Sequence, residues 1–257
     1  MAKKKPRTPP PPRRVQAPQR RVEPRKPRQG VSAAEIGRGR RNLLYAIAAG
    51  GAAVVVAIVV AVTAFGGGSK RPTEQQVANA MAAAGCSFRT VPAFVPKSWP
   101  PLTPLHLNSL TKKFPWNTSP PSNGLHYPEW AVWGFYTSPV NPRMVVHNEE
   151  HGGVILWWGS KVPQSTVEKL RSFYEEEPDG LFGTPYPSLG NKIAITAWTG
   201  DTLRYLRNRY FGEGHIAKCS SYTPATKRAF TLFRDRYRGH GPEGIPLSAD
   251  APGLGPS

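Results

Sequence analysis

Hydrophobic positions along this chain fall into three kinds of pattern. Residues 43–65 (LLYAIAAGGAAVVVAIVVAVTAF) form one apolar run with no charge across 23 positions. At about 1.5 Å per helical residue such a run crosses roughly 30 Å of hydrocarbon, so it predicts a single membrane-spanning helix. A cleaved signal peptide would be shorter and nearer the N-terminus, whereas residues 1–42 precede this segment. Shorter apolar stretches predict strands. Residues 153–158 (GVILWW), closed by Gly159, read as a buried strand, residues 192–198 (KIAITAW) alternate, and residues 129–136 (EWAVWGFY) are compact and aromatic.

Helix signals make the third pattern. Thr73 with Gln76 forms a capping box ahead of VANAMAAA, which Gly85 stops. Asn141 and Pro142 open a short helix that ends at Gly152. Ser165 with Glu168 predicts a second capping box, opening a helix over TVEKLRSFYEEE that Pro178 and Gly180 end. Thr223 and Pro224 start an amphipathic helix to about Tyr237, with Phe230, Phe233 and Tyr237 on one face. Residues 202–210 also read as helical. The Pro-dense stretch 91–125 predicts extended, irregular chain lying over the surface. With no internal repeat, these elements predict an α+β fold: one compact domain with a small sheet and flanking helices over residues 73–245. A linker at 66–72 precedes it and a loose tail at 246–257 follows.

Charge changes the picture. The 257 residues carry 34 Lys and Arg against 16 Asp and Glu, but 14 of the basic residues, with 2 Glu, lie in residues 1–42. The excess therefore belongs to a Pro-rich tail with almost no large apolar side chain, which predicts disorder rather than a nucleic-acid-binding domain. Basic residues on that side of the span place the tail in the cytoplasm and residues 70–257 outside it, as a single-pass plasma-membrane protein. Anionic lipid headgroups are the partner this tail suits, at about 1 kcal/mol per basic residue near a charged surface. No protein partner is legible. Two cysteines exclude a disulfide-rich mini-protein and a four-cysteine zinc site. Beyond the cytoplasm Cys86 and Cys219 are expected to pair, the alternative being two separate buried thiols.

Candidate chemistry lies in histidine. Four of the six histidines fall between positions 106 and 151. In His147-Asn148-Glu149-Glu150-His151 the two imidazoles stand i and i+4, which on a helix turns both to one side and allows one ion to be chelated. Two imidazoles hold an ion weakly, so further ligands are needed. His126, in the loop PPSNGLHY, is the best third, with His106 or Glu150 completing the set. Imidazole with carboxylate suits a divalent transition metal, with zinc or copper placed first. The alternative is histidines that fix loops by hydrogen bonds to backbone. The letters HNEEH also satisfy the inverted zinc-peptidase pattern, in which Glu150 would be the general base. No nucleophile elbow or phosphate loop is present.

The segments PPSNGLHYPEWAVWGFY, VHNEEHGGVILWW, KIAITAW and HGPEG together resemble the bacterial domain of unknown function 3105 family, over about residues 75–245. The resemblance implies a tail, one membrane span and this domain, with His126, His147, Glu150 and His151 in the family signature and His106 a looser match. Asn123 stands where a Ser-Gly pair is usual, and Glu149 where an apolar residue is usual. Neither change removes a ligand, and the family implies no established activity. The leading reading is a membrane-anchored extracytoplasmic metal-binding or accessory module rather than a catalyst. The alternatives are a metal-dependent hydrolase, or an envelope interaction protein using Trp116, Trp130 and Trp133, whose other role is core packing.

Overall fold

A computed structural model of the protein describes residues 71–97, 99–100, 104–202, 204 and 212–256. The basic tail, the expected span at 43–65 and most of the expected helix at 202–210 lie outside the described residues. Among those described, no helix is long and apolar enough to cross a membrane.

Helix α1 (Glu74–Ala83) starts as its capping box requires: Gln76 N–H donates to Thr73 Oγ1 at 3.2 Å and Thr73 N–H to Gln76 Oε1 at 2.7 Å. There follow β1 (Ser87–Pro92), α2 (Pro142–His151), β2 (Val154–Trp158), α3 (Gln164–Glu176), β3 (Leu181–Pro185), β4 (Ile193–Thr199), β5 (Glu213–Cys219) and α4 (Pro224–Tyr237). The five strands form one sheet in the order β1-β5-β4-β2-β3, antiparallel except for the β2–β3 pair. The fold is therefore a compact α+β domain.

Strand alternation sorts the core into two faces. Val154, Leu156 and Trp158 of β2, with Ile193, Ile195 and Ala197 of β4, pack against α1, α3 and α4. Ile155, Trp157 and Ala194 point the other way, against Val145 of α2 and against Ala131 and Trp133. A third cluster on that side gathers Val95, Leu105, Leu125 and Val146 around Trp198. The sheet is thus covered by three helices on one face, and by α2 with long irregular segments on the other.

Several expectations need correction. Residues 129–136 form no strand. Phe135 makes one isolated bridge to Gly183, while the Asn148 side chain holds both the N–H and the C=O of Ala131. The aromatic density there reflects burial of side chains, not a ladder. Ser165 caps nothing: α3 starts at Gln164, and the Pro163 carbonyl already accepts from Thr166 and Val167 N–H. Ser165 then falls inside the first turn, too late to cap it. The Pro-dense stretch does not lie over the surface throughout, since Leu105, Ser122, Asn123 and Leu125 are buried. In the segment 246–257, expected as a loose tail, the described residues to 256 fold back onto Trp133, whose N–H donates to Leu254 O at 2.8 Å and whose carbonyl accepts from Gly253 N–H at 2.9 Å. The aromatic docking surface also fails at Trp133, which is a core residue.

Cys86 and Cys219 are joined in a disulfide, with Cα atoms 4.3 Å apart. It links the turn after α1 to the end of β5, where Ser87 pairs with Lys218.

Candidate metal centre

Helix α2 is the platform of the site, and it is almost wholly buried despite its polar sequence. Its start is set by Asn141, whose side chain accepts from Arg143 N–H at 3.0 Å, and by Pro142 in the first turn. Its end is set by Gly152 at φ 115°, a left-handed conformation that a Cβ would strain. Successive side chains then face different partners about 100° apart around the helix. Asn148 holds Ala131. Glu149 turns to the sheet, where it accepts from Thr196 Oγ1, itself the acceptor for Trp157 Nε1–H at 2.7 Å. Glu150 turns to the loops carrying His106 and His126. His151 turns to the C-terminal segment.

His106 and His126 are brought side by side by backbone pairing: His126 N–H donates to Leu105 O at 3.0 Å, and Leu107 N–H to His126 O at 2.6 Å. His147 completes a triangle, with ring centroids 5.0, 5.1 and 4.8 Å apart around the three pairs. One carboxylate oxygen of Glu150 lies 2.9 Å from His126 Nε2 and 3.9 Å from Nε2 of both His106 and His147. One ligand atom from each of these four residues falls within 4.8 Å of the others. An ion held at about 2.0–2.1 Å from each needs only a modest inward closing of the ring nitrogens.

The tautomers decide what this cluster can do. His126 Nδ1 lies 2.8 Å from Gly124 O and His147 Nδ1 2.9 Å from Tyr127 O. A carbonyl only accepts, so each Nδ1 carries the proton, and each Nε2 aims its lone pair at the same point as Glu150. Gly124 makes its carbonyl available through φ 102°, and a Cβ there would come to 2.8 Å of Phe94 O. Burial opposes charge on His126, but the adjacent Glu150 carboxylate outweighs it and raises the imidazole pKa. Burial likewise acts to raise Glu150, and its histidine neighbours, His126 foremost, reverse this and hold it well below the usual carboxylate range. His147 is pushed down to about 3, first by burial and then by His126. Burial pushes Glu149 well above the usual range, against the pull of the Thr196 hydrogen bond. The centre is a carboxylate among imidazole lone pairs, a donor set that suits a cation.

His151 does not join these four. It belongs to a second group with His147 and Glu243, again within 4.8 Å of one another. Its Nε2 is 3.6 Å from Glu243 and its Nδ1 3.5 Å from Asp250. The i, i+4 spacing does bring the rings of His147 and His151 close, at 4.9 Å between centroids, with the Trp130 ring over both.

Residues 108–244, more than half of the chain, match the family described as "Protein of unknown function (DUF3105)". The chain belongs to the DUF3105 family. The DUF3105 match holds His126, His147, Glu150, His151 and Glu243, while His106 precedes it and Asp250 follows it. Comparison with curated proteins and with solved structures finds no match. Glu243 and Asp250 were not legible as site residues. The one signal was HGPEG, which stands among the segments that resemble the family and contains Glu243.

Proposed function

We propose that this DUF3105 protein is a membrane-anchored, extracytoplasmic module that binds one divalent transition-metal ion through His106, His126, His147 and Glu150. One observation carries the reading: His126 and His147 each give Nδ1–H to a backbone carbonyl and turn Nε2 toward the same Glu150 carboxylate. Loop-fixing histidines have no need of that convergence. Three imidazoles and a carboxylate suit zinc or copper. Binding rather than hydrolysis is favoured because the buried Glu150 carboxylate is held among three imidazoles, where a general base would need a water within reach. The anchor and the outward orientation rest on the apolar run at 43–65 and the basic residues before it, which also suit the cytoplasmic tail to anionic lipid headgroups.

Elemental analysis of the full-length protein, purified in detergent, tests this. About one zinc or copper ion per chain is expected, lost when His126 and His147 are both replaced by alanine. Metal content at background in the unaltered protein would overturn it. Cleavage of residues 70–257 by protease added outside wall-stripped cells, with the tail protected, tests the orientation.

A further inference from the structure

Two groups of metal-ligand side chains meet at His147, and their relationship goes beyond a single static site. The inner group is His106, His126, His147 and Glu150, and the outer is His147, His151 and Glu243. We infer that the outer group is a second metal position that exchanges one ion with the inner position through His147, so that the domain relays a metal ion instead of only storing it. This rests on the metal reading above and adds a direction of movement to it.

His147 is the pivot because it has one lone pair to give. Its Nδ1–H is committed to Tyr127 O at 2.9 Å, leaving Nε2 as its only ligand atom. The two positions therefore compete for it, and one ion at a time is expected. An ion that keeps His147 while exchanging Glu243 and His151 for Glu150 and His126 stays coordinated throughout the move.

The outer ligands are built into place. Asp250 is fully buried and faces His151 Nδ1 at 3.5 Å, which leaves Nε2 turned to Glu243 at 3.6 Å. A carboxylate behind an imidazole is the arrangement that fixes tautomer and ring orientation in metal-binding histidines. Glu243 is seated by backbone: its own N–H donates to Glu150 O at 3.3 Å, and Gly239 N–H donates to Gly152 O at 2.9 Å. The segment carrying Glu243 is thus docked on the C-terminal turn of the helix that carries the inner ligands.

The outer position opens to solvent through one ligand. The Glu243 side chain is 29 % exposed, whereas His147, His151 and the Nε2 atom of His106 are buried. An accessible outer group that shares a ligand with a buried inner one is the geometry of an entry route. A closed storage site would need neither the second group nor its opening.

Cobalt(II), whose absorption reports coordination, tests this on the full-length protein. The unaltered protein should bind one Co2+. With the inner position removed (His106→Ala with His126→Ala), one Co2+ should still bind, at least about tenfold more weakly, the scale on which lost supporting groups lower metal affinity. Adding His151→Ala should abolish that residual binding. In the otherwise intact protein, Glu243→Gln should keep one Co2+ at equilibrium and slow the approach to it, and the release to excess chelator, by about tenfold. A stoichiometry of two overturns the shared ligand. No residual binding in a folded inner-position variant, or unchanged rates in Glu243→Gln, overturns the outer position. Should the inner-position variant not fold by circular dichroism, the Glu243→Gln rates decide alone. If the unaltered protein binds no Co2+, the inference falls together with the metal reading, whereas the other failures leave that reading standing.

Discussion

Nε2 of His126 and a carboxylate oxygen of Glu150 lie 2.9 Å apart with both side chains buried. Because the other ring nitrogen donates to Gly124 O, a neutral His126 would set a lone pair against a carboxylate oxygen at this distance. The contact is favourable only with a positive charge between the two atoms, supplied by a proton or by a metal ion.

Glu150→Gln keeps the shape of the side chain and removes that demand, since an amide N–H can donate to the His126 lone pair. The metal-free variant should melt within a few degrees of the unaltered protein. Zinc at a hundredfold excess over its Kd should stabilise the unaltered protein by about 2.7 kcal/mol. At that same concentration the variant should gain less, about 1.4 kcal/mol for a tenfold loss of affinity. Thermal scans with and without zinc measure both, and an equal zinc-induced rise in the two proteins would remove Glu150 from the ligand set.

Thr196 is the link between Trp157 and Glu149 beneath the site. Thr196→Val leaves a buried indole N–H and a buried carboxyl without their shared hydroxyl, at a cost of about 1–3 kcal/mol for each group left unsatisfied. Urea unfolding should show a lower midpoint with an unchanged slope. A midpoint within error of the unaltered protein would mean that the hydroxyl contributes nothing net.

His215 gives the fold a pH dependence separate from the metal centre. It is buried between Thr90 and Thr199, with Nδ1 3.0 Å and Nε2 2.7 Å from their hydroxyls, and its ring stacks on Tyr237. Burial first, and then Arg236 and Arg71, push its pKa down to about 3. The unfolded chain, with an ordinary histidine pKa near 6.5, binds the proton first. Stability is therefore undiminished above about pH 6.5 and falls by up to about 1.4 kcal/mol for each pH unit on the way down toward 3. His215→Gln should flatten this part of a stability–pH curve measured with chelator present. An unchanged slope would show that other groups dominate.

The Cys86–Cys219 link closes a loop with a sequence separation of 133, so its loss acts on the unfolded chain as well as on the sheet edge. Replacing both cysteines by serine should lower stability by about 2–5 kcal/mol. Adding reductant to the unaltered protein should lower its melting temperature to about that of the double-serine variant. If neither treatment shifts the melting temperature, the cross-link is not a major stabiliser.

The sequence alone determined the parts of this protein that depend on neighbours along the chain. The caps at Thr73 and Asn141, the stop at Gly152, the buried run of β2 and the aromatic face of α4 all follow from local backbone chemistry and periodicity. So did the presence of imidazoles and carboxylate at spacings able to hold a metal ion. What local pattern could not carry, the tertiary structure decided. Strands β1, β3 and β5 are too short or too broken by Gly, Pro and charge to show a period; β3 and β5 exist because β2 and β4 offer ladder partners, and β1 because β5 in turn does. A stretch as aromatic as 129–136 looked like a strand because burial and β-structure favour the same residues. The division of the histidines was beyond the sequence too. His147 and His151 share one side of α2, yet Glu150 on the next face gathers the loop histidines, while the returning C-terminal segment claims His151 through Glu243 and Asp250. Those pairings join residues far apart in the chain, and only the packing of loops against a buried helix sets which groups meet.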